Sequence, residues 1–142
     1  TRSSEEGVDH AVDCWNRGCN CAESTLRGVC HTLDMELNAQ CLRMATPFGG
    51  GIGRSEDLCG AMTGALLAIG AARGRSDPKD DKSRSYGPAG EFYKRFVEEF
   101  ESSKCKDLNK SDFTSPGHRE RCTKYVIGAT RLAIHILGNE RS

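Results

Sequence analysis

The sequence of 142 residues lacks several features that identify common classes of protein. Its 20 basic and 20 acidic residues cancel, so no excess of positive charge attracts nucleic acid or an anionic membrane. Its most apolar window, residues 61–72, is well short of the roughly 20 residues that a membrane helix needs. We therefore expect neither nucleic-acid binding nor a membrane span.

Common catalytic motifs are also absent. The glycine-rich segment over residues 49–53 lacks the Gly-Lys-Ser or Gly-Lys-Thr that completes a phosphate-binding P-loop, and no strand pattern precedes it. No Ser/His/Asp arrangement and no pair of carboxylates stands out as a catalytic site. We therefore expect an electron carrier or redox module rather than an enzyme that converts a substrate.

Cysteine, by contrast, is abundant, with eight residues in the chain. In a secreted protein these could form four disulfides, but disulfide-rich folds are usually small and loop-rich because they lack a core. This chain has long amphipathic helical patterns instead, which favours metal or redox chemistry. We expect a cytoplasmic protein, and whether a signal segment was removed before Thr1 stays open.

Hydrophobic periodicity predicts an all-α fold, with one helical redox domain over residues 1–142. The predicted helices cover residues 4–17, 21–33, 38–46, 57–73, 86–102 and 117–137. The helix over 57–73 carries small residues along one side and apolar residues on the others, so it is expected at the centre of its neighbours. The sequence therefore predicts a compact bundle of about five to six helices around this small-residue helix.

One cysteine lies at the start of the predicted central helix. Glycine-rich residues 48–53 come first, and Cys59 follows in the first turn of the helix. Free amide N–H groups and the helix dipole stabilise a thiolate at such a position, which lowers its pKa. We therefore expect a working thiolate at Cys59.

Three other cysteines share features with Cys59. Cys21 and Cys122 lie at or near predicted helix N-termini, and Cys105 lies in a predicted loop. Helix starts directed at one place suit the negative charge of four thiolates around iron. The spacing of the four matches neither zinc-ribbon pairs nor ferredoxin motifs, so the tertiary fold has to assemble any site that they form.

The motifs NCA at 20–22, FGGGI at 48–52 and CGAMTG at 59–64, followed by two lone cysteines, resemble the C_GCAxxG_C_C family of redox-active proteins. The resemblance covers about residues 5–137, although the chain has Cys-Gly-Ala where the family name has Gly-Cys-Ala. It implies that the family's four named cysteines are Cys21, Cys59, Cys105 and Cys122. A similar domain in split-Soret cytochromes is associated with an iron–sulfur centre, which implies a cluster here without haems.

The remaining cysteines lie outside this set. Cys30 and Cys41 lie mid-helix on apolar stripes, so they are expected in the core as small hydrophobic residues. Cys14 and Cys19 lie outside the family's named pattern. Roles as alternative ligands, as a resolving thiol or as a local disulfide all stay open for these two.

The sequence thus predicts an iron–sulfur electron-transfer protein with Cys21, Cys59, Cys105 and Cys122 as ligands. We expect a 2Fe–2S cluster, and 4Fe–4S stays possible as the alternative. We also expect a homodimer. The sequence does not identify the redox partner. Two alternatives stay open. One is a thiol–disulfide redox protein that uses a low-pKa Cys59, and the other is a structural zinc protein held by four thiolates.

Overall fold

A computed structural model describes residues 1–110 and 112–139 of the chain. The helices are α1 (Ser4–Asn16), α2 (Cys21–Thr32), α3 (Ala39–Arg43), α4 (Gly60–Arg73), α5 (Ser83–Phe100), α6 (Cys105–Asn109) and α7 (Pro116–Asn139). A 3-10 turn, Thr46–Phe48, and a glycine-rich turn, Gly49–Ile52, lie between α3 and α4. The described residues contain no strand beyond an isolated bridge between Leu58 and Lys104. The prediction of an all-α compact bundle is confirmed.

Polar caps fix the starts of the first two helices. Ser3 caps α1 and Asn20 caps α2, and each forms a capping box with the glutamate three residues later. Such caps satisfy backbone N–H groups that would otherwise lack a partner and are typically worth about 1 kcal/mol each. The Asn20 side chain also donates to the Thr46 carbonyl at 3.0 Å. This second bond ties the start of α2, where Cys21 lies, to the segment before α4.

The core lies where α1, α2, α4 and α7 pack together, with α5 against α4 and α7. Its largest fully buried side chains come from five helices and include Leu26, Met62, Ile69, Phe92, Phe96 and Val126. Helix α4 contacts α2, α5 and α7, as expected for a helix that is apolar on most sides. Within the described residues, no helix has both the length and the apolar character needed to cross a membrane.

Helices α2 and α4 approach closely because α4 carries glycine at the contact. A Cβ atom on Gly64 would overlap the carbonyl group of Ala22, and one on Gly60 would overlap the sulfur of Cys21. Neither position has room for a side chain unless the helices separate. The glycines therefore allow the starts of α2 and α4 to lie side by side, which brings Cys21 towards Cys59.

Three expectations about cysteine positions need correction. Helix α4 begins at Gly60 rather than at residue 57, so Cys59 is its N-cap and does not lie in the first turn. Cys41 is half-buried rather than part of the core, because the five-residue α3 buries none of its residues fully. Cys105 is the first residue of α6 and not part of a loop.

We predict that Gly64→Ala destabilises the protein and that Gly70→Ala, in the same helix, does not. The Cβ added at Gly64 would meet the Ala22 carbonyl, and overpacking of this kind costs about 1–3 kcal/mol. At Gly70 an added Cβ meets nothing within 4 Å, so alanine should stabilise the helix by about 0.5–1 kcal/mol. Guanidinium denaturation measures the free energy of unfolding of each variant. If Gly64→Ala stabilised the protein as much as Gly70→Ala does, the result would contradict the close approach of α2 and α4.

Candidate functional site

A cavity of about 530 Å³ opens where α6, α7 and the starts of α2 and α4 meet the glycine-rich turn. The cysteines that line it are Cys19, Cys21, Cys59, Cys105 and Cys122. The structure therefore brings together all four cysteines that the sequence singled out, with Cys19 as a fifth. The other three cysteines, Cys14, Cys30 and Cys41, do not line this cavity.

A short antiparallel pairing of backbone holds Cys59 beside Cys105. The Cys59 N–H group donates to the Ser103 carbonyl at 2.8 Å, and the Cys105 N–H group donates to the Asp57 carbonyl at 2.6 Å. The two cysteines are far apart in sequence, yet each stands at the start of a helix next to the other. This pairing carries no amphipathic pattern, so hydrophobic periodicity does not predict it.

The glycine-rich turn lies against two of the thiols. Gly51 has a φ of 70°, and a Cβ at this position would come within 2.6 Å of the Cys105 Cβ. Gly50 has a φ of 66°, and its backbone N–H group lies beside the Cys21 sulfur. Left-handed backbone without side chains allows this approach at little steric cost. The turn therefore forms one wall of the cavity.

Cys122 reaches the cavity from the second turn of α7, which begins at Pro116. Cys122 therefore lies near the N-terminus of its helix, further along than Cys21 does in α2. Its sulfur lies 3.6 Å from His118 Nδ1 and 4.0 Å from Asn109 Oδ1. His118 Nδ1 is also 2.8 Å from Asn109 Oδ1, which is within hydrogen-bond distance. Asn109 thus contacts the side chains of both His118 and Cys122 on α7.

Two buried donors that line the cavity have no acceptor among the residues that the structure describes. They are Nε1 of Trp15 and Nδ2 of Asn109, in residues that are only 7% and 2% exposed. A buried N–H group without an acceptor costs about 1–3 kcal/mol. Trp15 and Asn109 thus each carry a buried N–H group that has no partner in the described residues. Sequence reasoning missed both roles, because Trp15 lies on an apolar stripe and Asn109 belongs to no recognisable motif.

Burial raises the pKa values of four cavity thiols, those of Cys21, Cys59, Cys105 and Cys122. It raises the pKa of Cys105 to about 11 and the pKa of Cys122 to about 12, and the neighbouring thiols add to both shifts. Burial also raises the pKa values of Cys21 and Cys59, although backbone N–H groups near each sulfur act in the opposite direction. Desolvation outweighs the amides at every one of these positions.

The expectation of a low-pKa thiolate at Cys59 is therefore wrong. The residue is only 6% exposed, and besides burial the nearby Cys21 and Cys105 thiols disfavour a negative charge on its sulfur. The thiol–disulfide alternative that relied on an activated Cys59 loses its physical basis. The four-disulfide alternative is also wrong, because all eight cysteines are free thiols.

The cavity thiols surround a volume and do not converge on one point. Within residues 1–110 and 112–139, no three His, Cys, Asp or Glu side chains are grouped closely enough to hold a single metal ion. Positive charge lies at the cavity edge. The Arg54 guanidinium stands over the Phe113 ring at 5.7 Å from its centroid, and the Arg119 guanidinium stands over the Trp15 ring at 5.3 Å.

Comparison with known proteins identifies the family. A family model described as "Putative redox-active protein (C_GCAxxG_C_C)" matches residues 19–136. The chain belongs to the C_GCAxxG_C_C family. A protein of Archaeoglobus fulgidus, described as "Uncharacterized protein", is 28% identical over an alignment of 148 positions that covers 98% of this chain and 98% of the relative. No solved structure matches the chain.

The C_GCAxxG_C_C match confirms the family expected from the motifs and supports a redox role. It spans all five cysteines of the cavity and leaves out Cys14. The family description names no cofactor and no ligand residues. The ligand set of Cys21, Cys59, Cys105 and Cys122 therefore stays a prediction at this point.

We predict that Gly51→Ala disturbs the cavity of this C_GCAxxG_C_C protein more than Gly53→Ala does. Both glycines have left-handed backbone, with φ values of 70° and 56°, so both substitutions carry a strain of about 1 kcal/mol. Only at Gly51 would the new Cβ also meet Cys105, whereas nothing lies within 4 Å at Gly53. Denaturation midpoints and the alkylation rate of Cys105 measure the difference, and matching results for both variants would show that the turn does not press on Cys105.

We also predict that the metal-free protein loses stability above pH 9. The pKa values of Cys105 and Cys122 rise from an ordinary 9.0 to about 11 and about 12 on folding. The unfolded chain therefore releases these protons first, so their contribution is complete below about pH 9 and is lost as the pH rises through the folded values. Denaturation at a series of pH values should show the fall, and it should be shallower in a Cys105→Ser/Cys122→Ser double variant. An identical fall in both proteins would assign it to other groups.

Proposed function

We propose that this protein binds an iron–sulfur cluster through Cys21, Cys59, Cys105 and Cys122 and transfers single electrons. The observation that carries the proposal is the cavity of about 530 Å³, which these thiols line from three helices and from the N-cap of a fourth. Cysteine thiolates are the usual ligands of iron–sulfur clusters, and burial of the kind seen here limits the access of water. The family's redox character agrees with this function.

The charges around the cavity fit an anionic cluster. Four thiolates around iron carry net negative charge, and the buried N–H donors of Trp15 and Asn109 have no other acceptor in the described part of the chain. The guanidinium groups of Arg54 and Arg119 at the cavity edge add positive potential. Raised thiol pKa values are also compatible with this proposal, because a bound metal cation offsets the cost of a buried thiolate.

The size of the cavity favours a cluster over the structural zinc alternative. Zinc draws four sulfurs to about 2.3 Å from one point. The thiols here surround a larger space, and no such convergence exists among the described residues. A group of several atoms that bridges the thiols suits this arrangement better. We retain 2Fe–2S as the proposed type.

The chain's own residues would hold, tune and shield the cluster, which supplies a one-electron redox couple when bound. Backbone pairing fixes Cys59 beside Cys105, and the Gly50 N–H group lies next to the Cys21 sulfur. Hydrogen bonds to ligand sulfur raise the reduction potential of such a centre, since they stabilise added negative charge. We propose that a redox partner approaches at the cavity edge, near Arg54 and Arg119.

Three further parts of the proposal concern the whole molecule. One is that residues 1–142 act as a single redox domain, and another is that the protein works as a homodimer. The third is a cytoplasmic location, because eight free thiols persist most easily in a reducing compartment. Sedimentation of the purified protein tests the homodimer directly.

The proposal predicts iron and acid-labile sulfide in protein purified without oxygen. Serine at Cys21, Cys59, Cys105 or Cys122 should lower the bound iron by at least about tenfold, since serine replaces a ligand that iron prefers. Cys41→Ser is the matched control, because Cys41 is half-buried and lies outside the cavity. Iron and sulfide are measured on the same samples, together with visible absorption and the electron paramagnetic resonance spectrum.

The outcomes separate the candidates. Iron and sulfide in equal amounts, with about two of each per chain, would support 2Fe–2S, and about four of each would support 4Fe–4S. Colourless protein without iron or sulfide would contradict the proposal. One zinc per chain, lost in the same four serine variants, would select the structural zinc alternative.

A further inference from the structure

Cys14 and Cys19 are brought together by the way in which α1 ends. The Cys19 N–H group donates to the Cys14 carbonyl at 3.0 Å, and the Gly18 N–H group donates to the Trp15 carbonyl at 3.2 Å. Gly18 has a φ of 110°, which favours glycine. These two hydrogen bonds define a Schellman motif, and in this motif the residues at the two ends of the longer bond commonly pack their side chains together. Here both of these residues are cysteines.

The backbone geometry permits a disulfide between them. A carbonyl oxygen lies about 2.4 Å from its own Cα and an amide nitrogen about 1.5 Å from its own. The bond of 3.0 Å therefore keeps the Cα atoms of Cys14 and Cys19 within about 7 Å, which is the range that a disulfide needs. The pair could close without unfolding the end of α1.

The two thiols differ in how they can be reached. Cys19 is half-buried and lines the cavity, whereas Cys14 is 8% exposed and lies outside the cavity lining. The two thiols are close enough to interact, since Cys19 is the largest influence after burial in raising the pKa of Cys14. An accessible thiol with a buried second thiol beside it is the arrangement of an attacking and a resolving cysteine.

We propose that Cys14 and Cys19 form a redox-active dithiol that reduces a small disulfide bound at the cavity edge. Cys19, as its thiolate, attacks one sulfur of the substrate, forming a mixed disulfide and breaking the substrate's S–S bond. Cys14 then loses its proton and attacks the Cys19 sulfur, which releases the second half of the substrate. Two cysteine thiols are oxidised to one disulfide, the substrate disulfide is reduced to two thiols, and the two protons end on the released thiols.

The charge around Cys19 indicates the class of disulfide. Arg54 and Arg119 line the same cavity, and neither belongs to an ion pair within the residues that the structure describes. Arg119 donates to the Asn16 Oδ1 atom at 3.2 Å and keeps its charge near the end of α1. A small disulfide with carboxylate groups fits this edge. Glutathione disulfide is a suitable probe.

The test follows the bond by peptide mapping. Protein purified without oxygen is incubated with glutathione disulfide, alkylated and digested with trypsin. Cleavage after Arg17 separates the two cysteines, so the disulfide joins peptide 3–17 to peptide 18–27. Fragmentation of the second peptide distinguishes Cys19 from Cys21. We expect a Cys14–Cys19 bond that Cys14→Ser and Cys19→Ser abolish and that Cys41→Ser leaves intact.

Several outcomes would overturn the dithiol. One is a fully alkylated Cys14 after oxidation, and another is a bond from Cys19 to Cys21 in place of Cys14. A third is a loss of iron from Cys19→Ser as large as that from Cys21→Ser, which would make Cys19 a metal ligand. The dithiol is independent of the cluster. A Cys14–Cys19 bond in a protein without iron would support this inference while the proposed function fails.

The substrate class has its own test. Arg119→Gln should slow oxidation by glutathione disulfide by roughly threefold to tenfold, because the anionic substrate loses an attractive charge. The rate with the uncharged bis(2-hydroxyethyl) disulfide should stay at the level of the unmodified protein. Equal rates for glutathione disulfide in the two proteins would overturn the preference for an anionic disulfide.

Discussion

The close approach of α2 and α4 is the contact on which the candidate site depends. It exists because Gly60 and Gly64 have no side chains at points where the Cys21 sulfur and the Ala22 carbonyl lie against α4. With the two helix starts side by side, Cys21 and Cys59 reach the same cavity. The backbone pairing that follows Asp57 then adds Cys105, and α7 adds Cys122. The two glycines thus let α2 and α4 place their thiols together, and the remaining contacts add the other two.

Burial decides the chemistry of these thiols. A helix start stabilises an exposed thiolate, but at Cys59 the cost of removing a charge from water is larger than the attraction of the nearby amides. The same burial that makes Cys59 a poor nucleophile suits a metal ligand, because a bound cation compensates the thiolate locally. The N–H donors of Trp15 and Asn109 are also buried, and they have no acceptor in the described residues. Under the proposed function, the cavity holds an electron-rich occupant.

The sequence predicted those features that depend on local pattern. Hydrophobic periodicity located the long helices, and helix-start positions together with the family motif selected four cysteines that the structure places in one cavity. The pairing of Cys59 with Cys105 was out of reach, because it depends on backbone hydrogen bonds between segments that have no distinguishing side chains. Cys41 was assigned to the core because periodicity does not show that α3 is too short to bury a face. Asn109 acts through tertiary contacts alone.

The Cys-x-Cys pair at 19 and 21 shows why spacing alone says little about cysteine function. Cys19 completes the end of α1, Asn20 caps α2, and Cys21 is the first residue of α2. Adjacent helix ends therefore place the two thiols beside different neighbours, with Cys19 next to Cys14 and Cys21 next to Cys59. Under the two proposals, a dithiol that exchanges electrons in pairs shares a cavity wall with a centre that exchanges them singly. Asn20 lies between the two thiols, where it follows the end of α1 and caps α2.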